Sequence, residues 1–258
     1  MTATLAIAQL VLLELLRRKD VYVLFVLTGL VTLVAGAANI FEDTRVVRYV
    51  KEICLTLIWI SGFVLAVTTA ARQLPAERES RTLFTLLAKP VSRWEFLAGK
   101  FLGCWLACGA ALLAFYLFFG VVTASRERAV DLAGWFQAAS LQWFMLAVPI
   151  ALALAGSLVW AAASSNTTLT LVSCFGIWLL GRHLHKVALG LPEPGATLLT
   201  LLYFTIPHLE LFDVRDLIIH RWPPVPWLVW LGALLYAAAY TGLTLTAAWL
   251  LFRRRALN

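Results

Sequence analysis

Residues 96–122 read FLAGKFLGCWLACGAALLAFYLFFGVV, an apolar run of 27 residues broken by one charge, Lys100. A hydrocarbon layer about 30 Å thick is crossed by roughly 20 such residues as a helix, which satisfies every backbone N–H and C=O internally. No other local structure does this for a lone segment. Five further runs lie at residues 21–40, 53–71, 135–163, 168–180 and 227–252. The run at 168–180 is short and has a polar outer end, whereas 96–122, 135–163 and 227–252 are long enough to tilt or project beyond the bilayer. Composition agrees: 62% of residues are hydrophobic and 14% charged, against about 45–50% and about 25% in soluble domains. The expectation is an all-α integral membrane protein, one unit over residues 1–258 with six transmembrane helices.

Residues 4–16 are apolar but carry Gln9 and Glu14 and end in Arg17-Arg18-Lys19. That pattern predicts an interfacial helix within residues 1–20, lying in the membrane surface and turning into the first span, rather than a seventh span. It lacks the short core and small-residue cleavage site of a signal peptide and is expected to stay on the chain.

Lys and Arg in short loops orient the spans. With the N-terminus inside, 12 of the 21 Lys and Arg fall on the inner side with only 5 of the 14 acids, so the whole formal charge of +7 sits on that face. Both termini are therefore expected in the cytoplasm, and the basic balance points to an anionic membrane surface rather than to nucleic acid.

The main inner segment is PAERESRTLFTLLAKPVSRWEFLAGK, residues 75–100. Pro75 suits the first position of a helix. Glu77 and Arg81 stand in the favourable acid-first i, i+4 order. Leu83, Leu86 and Leu87 form an apolar stripe, and Pro90 stops the helix. Ser92 and Glu95 have capping-box spacing for the next helix, with Val91 and Phe96 placed as its staple. A short, rigid amphipathic surface helix at residues 75–89, tied to the third span, is the result.

This stretch resembles the permease subunits of ABC-2 type ABC transporters: Glu77, Glu79, Arg81-Thr82, Leu86-Leu87, Pro90 to Arg93 and Gly99-Lys100 match the family's pattern. The resemblance implies that the surface helix is a coupling helix, seated in a groove of a cytoplasmic ATPase. Carried over residue by residue, that role falls on Glu77, Arg78, Glu79, Arg81, Thr82, Leu83, Leu86 and Leu87. It further implies a bacterial inner-membrane exporter with two copies of an ABC ATPase subunit, which bind the ATP and Mg, and a second permease copy as homodimer or heterodimer.

A second likeness is FTIPHLELFDVRDLIIH, residues 204–220, which resembles an outer element of several ABC-2 permeases, including those of nitrous oxide reductase maturation; His208 stands where Asn is usual there. Family members place short re-entrant helices here. Residues 192–224 fit, because 196–204 is apolar but too short to span and five prolines, with Pro226 just beyond, break the rest. Phe204, Pro207, His208, Glu210 and Asp213 are the candidate outer gate or partner contact. The element is expected to cap the outer end of the path near residues 182–186, with His208, Glu210 and Asp213 facing the outer aqueous side.

The chemistry of common membrane enzymes is missing. There is no G-x-x-x-x-G-K-[ST], so no ATP hydrolysis by this chain, and no H-E-x-x-H or G-x-S-x-G. No catalytic residue, resident cofactor or metal site is expected. His183 and His185, and the outer His208, Glu210 and Asp213, read as a polar rim. Only two methionines are present, Met1 and Met145, too few for a thioether-lined copper path. Cys54, Cys104, Cys108 and Cys174 lie in apolar stretches without a CxxC and read as buried thiols. Lys100, one turn into its span, is expected to snorkel inward. With no charge at mid-span, energy should come from another chain. Gly99-x-x-x-Gly103 and Ala151-x-x-x-Ala155 permit close helix approach without naming a partner. Two other classes remain open: the same machine transmitting force to a periplasmic accessory protein without moving a solute, and a lipid-modifying enzyme using His208, Glu210 and Asp213.

Overall fold

The computed structural model describes residues 3–16, 26, 29, 44–79, 92–124, 131–160 and 162–254. Among these it is helical, with no strand. In chain order the helices are α1 (Ala3–Leu16), α2 (Thr44–Glu79), α3 (Arg93–Ala124), α4 (Leu132–Val159), α5 (Ala163–Leu189), α6 (Gly195–Thr205), a 3-10 turn (Leu209–Phe212), α7 (Arg215–His220) and α8 (Trp227–Arg254). Among the described residues five helices, namely α2, α3, α4, α5 and α8, are long and apolar enough to cross a membrane; the bent pair Gly195–Thr205 and Leu209–His220, at 42°, brings the number to six if counted as one span. Of the predicted first span only Val26 and Gly29 are described, and Gly29 lies beside Phe118 of α3.

The middle of the fold is α4. It has no charged residue, and from Gln137 to Leu158 none of its residues is exposed. It packs against α2, α3, α5, α7 and α8. Asp131 starts it, its carboxylate accepting from the N–H groups of Ala133 and Gly134 at 3.2 Å each. Its amides hold neighbours in place. Gln137 exchanges two 2.8 Å hydrogen bonds with the backbone of Val225, fixing the proline-rich entry to α8. Gln142 accepts from Tyr116 Oη at 2.9 Å. On the α3 side, the indoles of Trp105 and Trp143 stack at 4.6 Å, and each N–H donates to the other residue's carbonyl, at 3.0 and 3.1 Å. The pair fits because residue 109 is glycine: a Cβ there would sit 2.3 Å from Trp143 Nε1.

The short span predicted at 168–180 is the 27-residue helix α5. Its polar first turns stay helical because their groups are satisfied. Asn166, fully buried, donates to the Ala153 carbonyl at 2.8 Å with its Oδ1 against Gly156, Thr167 donates to the Ala163 carbonyl, and Thr170 to Asn166 Oδ1. The preceding span ends at Val159 rather than at 163, since Trp160 takes up extended backbone as its C-cap.

Gly99-x-x-x-Gly103 finds its partner in α1. A Cβ on Gly99 would meet Ile7 Cβ at 2.8 Å, and one on Gly103 would meet Val11 Cβ at 2.6 Å and the Ala8 carbonyl oxygen at 2.8 Å. Ala8, Val11 and Leu15 are buried on this face, while Leu5, Leu10 and Leu13 are exposed on the other. The N-terminal helix thus lies directly on the backbone of α3 near that helix's N-terminus.

Candidate functional site

At the end expected to face the cytoplasm, residues 92–103 gather three other helices around the start of α3. Ser92 N–H donates to Glu95 Oε2 at 2.8 Å, and Glu95 N–H donates to Ser92 Oγ at 3.2 Å, the reciprocal capping box the spacing predicts. Arg93 donates to the carbonyls of Phe252 and Arg253, the orphan acceptors at the end of α8, and lies 5.3 Å over the Phe252 ring. Phe96 packs on Phe252, and Gly99 and Gly103 seat α1. Lys100 is tied to α2: its Nζ donates to Gln73 Oε1 at 3.0 Å and pairs with the Glu77 carboxylate.

Two expectations are corrected here. Lys100 does not snorkel to solvent; it is 2% exposed. Gln73 and Glu77, one turn apart on α2, supply the acceptors that make a buried ammonium tolerable. Pro75 does not open a separate helix; it lies inside α2, which runs on to Glu79. A proline here removes a single N–H near the helix end, while buried Leu74 and the ties of Gln73 and Glu77 to α3 keep the last turn in line. Of the proposed coupling residues, Glu77 and Arg78 therefore stand in the last turn of α2. Glu79 ends it, its side chain outside the described residues, as are Arg81, Thr82, Leu83, Leu86 and Leu87.

In the element expected to lie outside, α6 has no buried residue and exposes Leu198, Leu201, Leu202 and Phe204, the last at 69%. The chain then turns inward. Leu209 and Phe212 of the 3-10 turn are buried, as are Leu217, Ile218 and Ile219 of α7. The turn is fastened to α8, where Tyr236 Oη accepts from His208 N–H at 2.9 Å and Tyr240 Oη donates to the Ile206 carbonyl at 3.3 Å. His208 Nδ1 and Glu210 Oε1 lie 3.0 Å apart, and the Tyr203 and His208 rings 4.4 Å apart, just after Pro207. Glu210 rests on α5 at Gly181, where a Cβ would fall 2.9 Å from its Oε2. The element thus meets α5 at Gly181, one residue before the segment 182–186.

The polar groups do not face the water as expected: His208, Glu210 and Asp213 side chains are 16%, 10% and 10% exposed. The 3-10 turn directs them at neighbouring helices, where each has a partner to meet. Asp213 grips Arg215 in a two-point pair at 2.7 and 2.9 Å. Arg215 also donates to Thr56 Oγ1 of α2 and covers the Trp59 ring at 5.8 Å. Around Trp59 lies an aromatic group: Phe63 at 5.3 Å, and Trp178 at 4.6 Å and Phe175 at 6.3 Å from α5.

Arg215 is the residue that sequence reasoning passed over, by counting it with the loop charges. Its signal was present: the only base inside LFDVRDLII, two residues from an acid. Gln137 and Gln142 were likewise legible as amides within a charge-free run.

A family model described as ABC-2 family transporter protein matches residues 2–210. The chain belongs to this family. No curated protein matches it. As an ABC-2 protein it is a multi-pass transmembrane permease subunit of an ABC transporter, and the family implies work with an ATPase subunit and a dimeric assembly. In this ABC-2 permease the family match covers residues 92–103 and their partners on α1 and α2, but not the end of α8, and it covers the 204–220 element as far as Glu210.

Proposed function

We propose that this permease is the membrane half of an exporter, driven by a separate cytoplasmic ATPase that docks on residues 75–89 and supplies the ATP and Mg chemistry this chain lacks. It works as two permease copies with two ATPases, in a bacterial inner membrane, with both termini in the cytoplasm. The observation that carries the reading is α2: one 36-residue helix holding Arg215 of the outer element at Thr56 and holding Lys100 at Glu77, where the coupling segment begins. Those contacts lie 21 residues apart on α2, about 31 Å along the axis at 1.5 Å per residue. A helix pinned at both ends is a strut, so displacement at the inner end is felt at the outer one. No step in this cycle forms or breaks a covalent bond in the chain.

One observation favours a second reading, force transmission to a periplasmic protein: the apolar side chains of α6 are exposed together at the outer end. Leu86→Asp and Glu79→Arg test the coupling assignment. Each should lower co-purification of the ATPase while membrane insertion is unchanged. Full co-purification with both variants would refute it. A reconstituted exporter with residues 198–204 deleted should keep its ATPase and lose function; normal function would make the outer segment a connector.

A further inference from the structure

We infer that Lys100 is a positioning residue that staples the base of the coupling segment, so that α2 and α3 carry its displacement as one body; this rests on the reading above that the segment docks an ATPase. The chain leaves α2 at Glu79 and enters α3 at Arg93. Glu77 and Lys100 stand just inside those two points and pair across them. The ion pair therefore closes the excursion into a loop with a fixed base.

Packing alone does not call for a charge here. A buried ion pair is often no more stabilising than apolar side chains of the same volume, and removing one partner is costly. What the pair adds is register. Two helices in apolar contact can slide along one another, but Lys100 bridges Gln73 and Glu77 on one face of α2 and lies 5.9 Å over the Phe96 ring. Sliding would strand an ammonium in a site only 2% exposed. The stretch around Lys100 also holds α8 through Arg93 and α1 through Gly99 and Gly103. A push on the stapled loop is thereby shared with the N-terminal and last helices as well as with the strut to Arg215.

The test uses the full-length permease purified with its co-expressed ATPase in lipid nanodiscs. Two readouts are taken: ATPase retained on the permease, and the change in labelling of an outer reporter, Leu201→Cys, by an impermeant maleimide when ATP and vanadate are added. The reporter is exposed, and the four native cysteines are buried. With Lys100 intact, labelling should change at least three-fold on trapping. Lys100→Met and Gln73→Leu, both outside the docking segment, should retain the ATPase but lose most of that change, and the conservative Lys100→Arg should keep more of it than Lys100→Met. A full trapping response in Lys100→Met and Gln73→Leu would overturn the inference. So would loss of ATPase and folded yield in parallel in both, which would mark the pair as structural only. A parent complex that binds no ATPase, or binds it without any labelling change, would instead bring down the coupling reading itself.

Discussion

Gly103→Ala tests the seating of α1 at the level of single atoms. The added Cβ would lie 2.6 Å from Val11 Cβ and 2.8 Å from the Ala8 carbonyl oxygen, where ordinary contact begins at 3.4 Å. One of the obstructing atoms is backbone, so no rotamer change clears it and α1 must withdraw by about 0.8 Å. A gap of that size forfeits a quarter to a half of each affected contact, and overpacking of this kind costs about 1–3 kcal/mol. Helix propensity acts the other way, by up to about 1 kcal/mol for Gly→Ala. It stabilises α3 itself, though, not the contact between α3 and α1. The undocked fraction of α1 should therefore rise between about 5-fold and about 150-fold. Ala8→Cys is a suitable reporter, since Ala8 is buried in that contact. Its maleimide labelling rate follows the open population when opening is fast. Gly176→Ala is the control, because no atom lies within 4 Å of its Cβ position. The reasoning fails if Gly103→Ala leaves the labelling rate within two-fold of its parent, or if Gly176→Ala raises it as much.

Arg215→Leu strands the Asp213 carboxylate and should lower stability by about 3–5 kcal/mol, read as the thermal midpoint of the detergent-solubilised protein; replacing Asp213 by Val as well should recover part of the loss, and strict additivity would contradict the pairing. Gln137→Leu leaves the Val225 N–H and C=O without their partners and should cost about 1–3 kcal/mol for each group left unsatisfied, seen in the same assay; an unchanged midpoint would show that the amide does not hold the entry to α8. For topology, a reporter fused after Asn258 should read cytoplasmic and Ala196→Cys should label from outside, while external labelling of Ser80→Cys would invert the orientation.

Much of the fold was legible because the bilayer leaves few choices. The apolar runs at 96–122 and 227–252 differ from α3 and α8 by at most three residues at either end. What could not be read were the places where tertiary contact outweighs a local signal. Ser164, Ser165, Asn166 and Thr167 look like a loop until Asn166 is seen to fit Gly156 and bond to Ala153. Pro75 reads as a helix start, yet α2 passes through it because its neighbours are tied to Lys100. The Gly99-Gly103 spacing announced a close approach but could not say that α1 made it. At the outer site, His208, Glu210 and Asp213 were recognised as a cluster. Their inward direction was not, because it follows from the 3-10 turn and from Arg215, which local polarity does not reveal.

Where the ATPase meets this chain decides whether residues 75–89 couple the two. A photo-crosslinking amino acid placed at Leu86, and in a separate variant at Leu201, asks the question directly in intact cells. The prediction is an ATPase-sized adduct from position 86 and none from position 201. An adduct from 201 with none from 86 would put the energy source on the other face of the membrane and contradict the account.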